Sequence, residues 1–210
     1  MNNIKVFNKK NITIASKLIF NEDLVAFATE TVYGLGADAR SNKAVSKIFK
    51  IKNRPDYNPL IVHVHSTKEA FVFGEATNLA SKLAKQYWPG PLTLILKRKK
   101  TCNLSFLVSG GLESIAIRVP KHPLFLELLN KVKVPIAAPS ANKSGKLSST
   151  CAEDVKQDFG NDIKIILDDG FTKGGLESTV IDARYNRPII LRPGLITKEM
   201  IKNDLNCSSS

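Results

Sequence analysis

"VPIAAPSANKSGKLSST", residues 134–150, is the stretch from which the fold can be read. An apolar run reaches a proline and gives way to a loop of hydroxyls, one asparagine, two lysines and one glycine. The loop carries no acidic residue and no histidine, so it offers no obvious general base, but it can hold something negatively charged. A short apolar strand, a polar loop at its end and a hydroxyl-capped helix after it form the unit from which α/β sheets are assembled. Such sheets place ligands at those loops.

The same alternation runs outward along the chain. Strand candidates are "LVAFAT" (24–29), "LIVHV" (60–64), "LTLILK" (92–97), "SIAIRV" (114–119), "VPIAA" (134–138), "IKIIL" (163–167), "STVID" (178–182) and "PIILR" (188–192). Several are apolar nearly throughout, as strands covered on both faces are. "STKE" from Ser66 and "TCAE" from Thr150 read as capping boxes, a hydroxyl at the cap with Glu three residues later. "SNKAVSKIFKI" after Arg40 and "TNLASKLAKQYW" from Thr77 have helical apolar spacing. The expected fold is α/β, a twisted mostly parallel or mixed sheet with helices on its faces. With no internal repeat or low-complexity linker, one domain is expected over residues 1–194. Residues 195–210 are expected to form a short helix and a frayed, serine-rich tail.

Composition narrows the function classes. The chain has 210 residues, 43% of them hydrophobic, which suits a soluble domain with a real core. No apolar segment approaches the ~20 residues that span a bilayer, and "MNNIKVFNKKN" lacks the apolar stretch of a secretory signal. Three separated cysteines, Cys102, Cys151 and Cys207, match no metal spacing and suggest reduced thiols in a cytoplasm. Thirty-one Lys and Arg against nineteen Asp and Glu give +12. That surplus favours anionic partners, or reflects a biased genome composition. "KRKK" (97–100) reads as a solvated turn or a phosphate contact.

Candidate chemistry lies in the loops. "TETVYGLGADA" (29–39) has Gly34 and Gly36 but lacks the third glycine of a dinucleotide fingerprint. Its Glu30 could be a base or a structural hydrogen-bond partner. In "KIKNRPDYNPL" (50–60), Lys52 and Arg54 alternate and would share a side if extended. They could grip phosphate, or merely complete a basic helix end. His63 and His65 could pair on one face, more as hydrogen-bonding residues than as metal ligands, since no third ligand is near. "YWPGPLTLIL" (87–96) reads as a rigid turn and core. Arg118, among Ile115, Ile117 and Val119, needs an anionic partner, either a substrate carboxylate or an internal Asp or Glu. Ser140, Asn142, Ser144 and Ser148 offer neutral hydrogen bonds, Lys143 and Lys146 add charge, and "GGLESTVID" and "ILRPG" supply Ser178, Thr179 and Arg192. No Ser–His–Asp set, nucleophile elbow or metal cage appears. Cations and hydroxyls that position and neutralise phosphates suit phosphoryl or nucleotidyl transfer, which needs no protein nucleophile.

Seven blocks, "TETVYGLGADA", "IKNRPDYNPLIVHV", "WPGPLTLIL", "AIRVPKHP", "PIAAPSANKSG", "GLESTVID" and "LRPG", stand in the order found in the YrdC-type threonylcarbamoyl-AMP synthases, and the chain resembles that family over residues 10–194. The resemblance implies a basic concave cavity and a nucleotidyltransferase activity. ATP, L-threonine and bicarbonate would yield threonylcarbamoyl-adenylate and pyrophosphate, which other tRNA-threonylcarbamoylation proteins use at adenosine 37 of tRNA. It implies Mg2+ carried with ATP rather than in a protein cage. The family's Lys-x-Arg pair falls on Lys52 and Arg54, the implied catalytic residues. Arg54, Asn58, Ser114, Ser140, Asn142, Ser148 and Arg192 match ATP positions. Thr31, His63, Arg118, Ala138 (through its backbone) and Ser178 match threonine positions. Two prolines common in the family are replaced, by Ala28 and Ser149. "LRPGLITKEMI" resembles the linker to a second domain in longer members, which is absent from residues 195–210. A non-catalytic tRNA or double-stranded RNA-binding module, and the carbamoyl-adenylate chemistry of hydrogenase-maturation domains, are the rival readings.

Overall fold

A computed structural model describes residues 2–207, with Asn206 and Cys207 by backbone alone, so part of the expected tail lies outside the described residues. In chain order the elements are β1 (Ile4–Val6), α1 (Lys9–Phe20), β2 (Val25–Phe27), β3 (Gly34–Asp38), α2 (Asn42–Lys52), β4 (Ile61–His63), α3 (Thr67–Phe73), α4 (Asn78–Tyr87), β5 (Leu92–Lys97), a 3-10 turn (Phe106–Ser109) and β6 (Ser114–Arg118). They continue with α5 (Pro123–Val132), β7 (Ile136–Ala137), α6 (Ala152–Phe159), β8 (Ile166–Asp168), β9 (Thr179–Asp182), β10 (Ile189–Arg192) and α7 (Lys198–Cys207).

The strands form one sheet in the order β1-β8-β2-β3-β7-β4-β6-β5-β9-β10. It is a mixed sheet, the second of the two expected arrangements. The pairs β1–β8, β2–β8, β4–β6 and β5–β9 are parallel, and the other neighbours run antiparallel. All eight expected strands are present, some shorter than their apolar runs.

Two further strands, β1 and β3, complete the sheet. β1 is three residues long and mostly exposed, so it has little apolar pattern. β3 lies within "TETVYGLGADA", which reads as loop because two of its residues are glycines. The packing explains them. A Cβ on Gly36 would stand 2.5 Å from the Phe27 ring and 2.8 Å from Ile136 Cγ2, so only a bare backbone passes between them. Phe27 is fully buried and stacks on Phe125 of α5 at 4.2 Å. Each such burial contributes roughly 1.5–3 kcal/mol.

The helix starts follow their caps. Ser41, Ser66 and Thr77 each accept the backbone N–H three residues on, at 3.0, 3.2 and 3.0 Å. The box expected from Thr150 is displaced by one residue. The N-cap is Cys151, and Asp154 rather than Glu153 closes the turn, accepting from Thr150 N at 3.0 Å and Cys151 N at 3.3 Å. An aspartate at the third helical position reaches back over the first turn, and its charge suits the helix N-terminus.

Candidate functional site

The segments that follow β2, β7 and α2 meet the start of β9 and the ends of β4, β6 and β10 around one cavity. Thr31, Arg54, His63, Arg118, Ala138, Ser140, Ser178 and Arg192 all line it, together with Glu177. Eight residues singled out from the sequence, spread from 31 to 192, are thus brought together. Of the others, Lys52 and Asn142 are buried beside it, Ser148 reaches it through Glu177, and Asn58 accepts from Arg54 Nε at 3.4 Å. Ser114 opens β6, four residues from Arg118 and opposite Lys97 of β5, away from the lining.

Lys52 and Arg54 are not alternate residues of an extended segment. Lys52 ends α2, and Asn53 follows in the left-handed conformation with φ 51°. That turn places Arg54 on the cavity while Lys52 points inward. Lys52 is 2% exposed, and its Nζ donates to the carbonyls of Ser140, at 2.6 Å, and Asn142. The ammonium therefore pins the "PSANKSG" loop. Burial and the nearby Arg54 charge push its pKa down to about 8, so it still carries its charge near neutrality. Arg54 also donates from Nη2 to Pro59 O at 3.0 Å.

The anionic partner that Arg118 requires is internal. Its Nη2 lies 2.6 Å from Glu30 Oε1, Nη1 donates to Thr31 Oγ1 at 3.1 Å, and Nε donates to Gly90 O at 3.1 Å. Glu30 is thus a structural partner. Burial would raise its carboxyl, but the Arg118 charge and the Lys121 amide outweigh that and hold it below the usual carboxylate range. Thr29 adds order by sharing a hydrogen bond with Thr31 at 2.9 Å.

His63 and His65 do not share a site. β4 ends at His63, which is buried beside the Phe125 ring at 5.4 Å, whereas His65 is exposed. Burial, with Arg118 near, pushes His63 down to about 3, so the ring is neutral at physiological pH. Its Nδ1 is buried without a hydrogen-bond partner among the described residues.

Glu177 is a cavity residue that no motif in the sequence singles out. It sits directly before Ser178, after the pair Gly174–Gly175, and its carboxylate accepts from Ser148 Oγ at 3.0 Å and pairs with Arg192 Nη1. Arg192 also donates to Ser178 O and Ser178 Oγ, both at 3.0 Å. Gly194 permits this convergence, since a Cβ there would stand 2.6 Å from Glu177 O and from Thr179 N. Among the described residues no group of three or more His, Cys, Asp or Glu gathers as a metal cage, and no helix is long and apolar enough to cross a membrane.

Fold and site together define a mixed-sheet α/β domain with an arginine-lined cavity and, among the described residues, no paired nucleophile and base. Residues 17–194 match the Sua5/YciO/YrdC family, described as "Telomere recombination", and the chain belongs to that family. It is 49% identical over 196 residues to the threonylcarbamoyl-AMP synthase of Bacillus subtilis, covering 93% of this chain and 56% of that protein. It is 34% identical to a putative threonylcarbamoyl-AMP synthase of Methanocaldococcus jannaschii, with 90% and 87% covered. The structure of Pyrococcus abyssi Sua5 complexed with L-threonine superposes with a TM-score of 0.91 at 44% identity, covering 98% of this chain and 60% of that one. Escherichia coli YciO shares the fold, with a TM-score of 0.81 at 23% identity over 93% of this chain and 97% of that one. The chain spans about half the length of the Bacillus and Schizosaccharomyces pombe synthases.

Proposed function

We propose that the chain makes L-threonylcarbamoyl-adenylate from ATP, L-threonine and bicarbonate with release of pyrophosphate, as a nucleotidyltransferase feeding the threonylcarbamoylation of tRNA adenosine 37. The observation that carries this reading is the convergence of Arg54, Arg118 and Arg192 with Ser140 and Ser178 on one cavity. The named synthases among its relatives, and the threonine held by the Pyrococcus protein, support it.

The chemistry follows from what the residues can do. Threonine would lie with its carboxylate toward Arg118 and its other polar groups near Thr31, His63, Ser178 and the Ala138 backbone. A ring with a pKa of about 3 can hydrogen-bond but cannot retain an abstracted proton, so His63 positions rather than acts as base. Bicarbonate loses hydroxide to give CO2, the free amine adds to it to form N-carboxythreonine, and the released proton and hydroxide leave as water. The carbamate oxygen attacks the α-phosphorus, the bond to the β-phosphate oxygen breaks, and pyrophosphate departs. Arg54 and Arg192 face the triphosphate with Ser140 and Ser148. Asn142 and Lys52 hold the loop that carries Ser140, and Lys52 adds charge to the same region. Asn58 anchors Arg54, and Ser114 would contact ATP only at its periphery. Mg2+ is proposed to arrive with ATP, held chiefly by phosphate oxygens and water.

The test is pyrophosphate release from purified protein given ATP, Mg2+, bicarbonate and L-threonine, with serine in place of threonine and bicarbonate omitted as controls. Release should require both threonine and bicarbonate and fall at least about 100-fold in Arg54→Ala. No release from folded, ATP-binding protein would reject the proposal.

A further inference from the structure

Part of what is read as the triphosphate grip, Arg192 and Ser148, is already engaged by an anion belonging to the protein. Arg192 pairs with the Glu177 carboxylate, Ser148 donates to it at 3.0 Å, and Glu177 lines the same cavity as Arg54 and Ser140. Burial would raise this carboxyl, yet Arg192, the Ser140 and Ser148 hydroxyls and Lys52 together hold it low and ionised. An ionised carboxylate and a phosphate oxygen ask for the same donors. They cannot share them without like charges meeting in a half-enclosed site.

We infer that Glu177 is an internal stand-in for phosphate, keeping Arg192 and Ser148 ordered until a polyphosphate binds and giving way when it does. The inference rests on the nucleotide reading above. The local backbone suits such an exchange. Glu177 side-chain exposure is 30%, so the carboxylate has a route to solvent. Gly175, two residues before it, has φ 62° with open space at its Cβ position. Ser178, by contrast, is fixed by Thr93 Oγ1 at 2.7 Å and by Arg192, so release involves the Glu177 side chain while the start of β9 stays in place. Glu177 is thereby a positioning residue that trades some nucleotide affinity for a preformed grip.

The experiment is calorimetric titration of the full chain with inorganic pyrophosphate, with and without Mg2+, for the wild type and Glu177→Gln. The glutamine keeps the size and the acceptor for Ser148 but removes the competing charge. Metal-free pyrophosphate should bind the variant about tenfold more tightly. Thermal melting verifies the fold, and Glu177→Ala decides if the glutamine variant does not melt cooperatively. Unchanged or weaker pyrophosphate binding overturns the inference. Weakening seen only with Mg2+ also overturns it, by making Glu177 a metal ligand. If the wild type releases pyrophosphate in a threonine-dependent manner and the variant binds no tighter, only this inference fails. A wild type that binds neither pyrophosphate nor ATP removes the nucleotide reading and this inference with it.

Discussion

Lys52 should make the protein more stable and less able to hold anions over the same span of pH. Its ordinary pKa of 10.5 falls to about 8 in the folded protein, because burial and Arg54 penalise its charge. Between those values the unfolded chain keeps the proton that the folded chain has lost, so the contribution of Lys52 to stability rises with pH. Integrated from pH 7 to 9.5, the gain is about 2 kcal/mol. The deciding quantity is the difference in urea unfolding free energy between wild type and Lys52→Met, measured at each pH, because groups common to both cancel. That difference should move in favour of the wild type by about 2 kcal/mol over the interval. Over the same interval the proposed anion site loses a positive charge. Pyrophosphate affinity should therefore fall above pH 8, by up to about tenfold per pH unit if the bound anion restores the proton. A stability difference that is flat with pH, or that moves against the wild type, would refute the assignment of a depressed Lys52.

Three further outcomes are expected. Arg118→Met should cost about 3–5 kcal/mol in chemical denaturation, because it strands the Glu30 carboxylate without its charge partner, and Arg118→Met/Glu30→Gln should recover part of the loss. Gly36→Ala should destabilise by about 1–3 kcal/mol, since the new Cβ meets the Phe27 ring and Ile136; an unchanged melting temperature would contradict the packing. His63 should show no titration between pH 5 and 8 in its ring NMR signals, because burial and Arg118 push its pKa down to about 3.

The sheet was largely legible because its buried strands are short apolar runs ended by polar loops, and burial on both faces writes itself into composition. β3 escaped because its glycines carry no pattern until Phe27 and Ile136 are known to press against it. The Thr150 cap was displaced because Glu153 and Asp154 are adjacent acids, and helix phase, which only the fold sets, decides which one reaches back. For the site, the sequence by itself determined the cast: cations and hydroxyls with no nucleophile–base pair, and a buried Arg118 that had to find a carboxylate. Which carboxylate is a question of distance across the sheet. Glu30 lies far from Arg118 in the chain and 2.6 Å from it in space. Likewise Lys52 and Arg54 are near neighbours in sequence, but a left-handed Asn53 turns one into the loop's anchor and the other onto the cavity. Tertiary structure alone joined Glu177 to the cavity's polar cluster, because its partners Ser148 and Arg192 come from separate segments. Side-chain chemistry is a local property read residue by residue, whereas Coulomb and hydrogen-bond partnerships depend on separations of a few ångströms that only the folded chain defines.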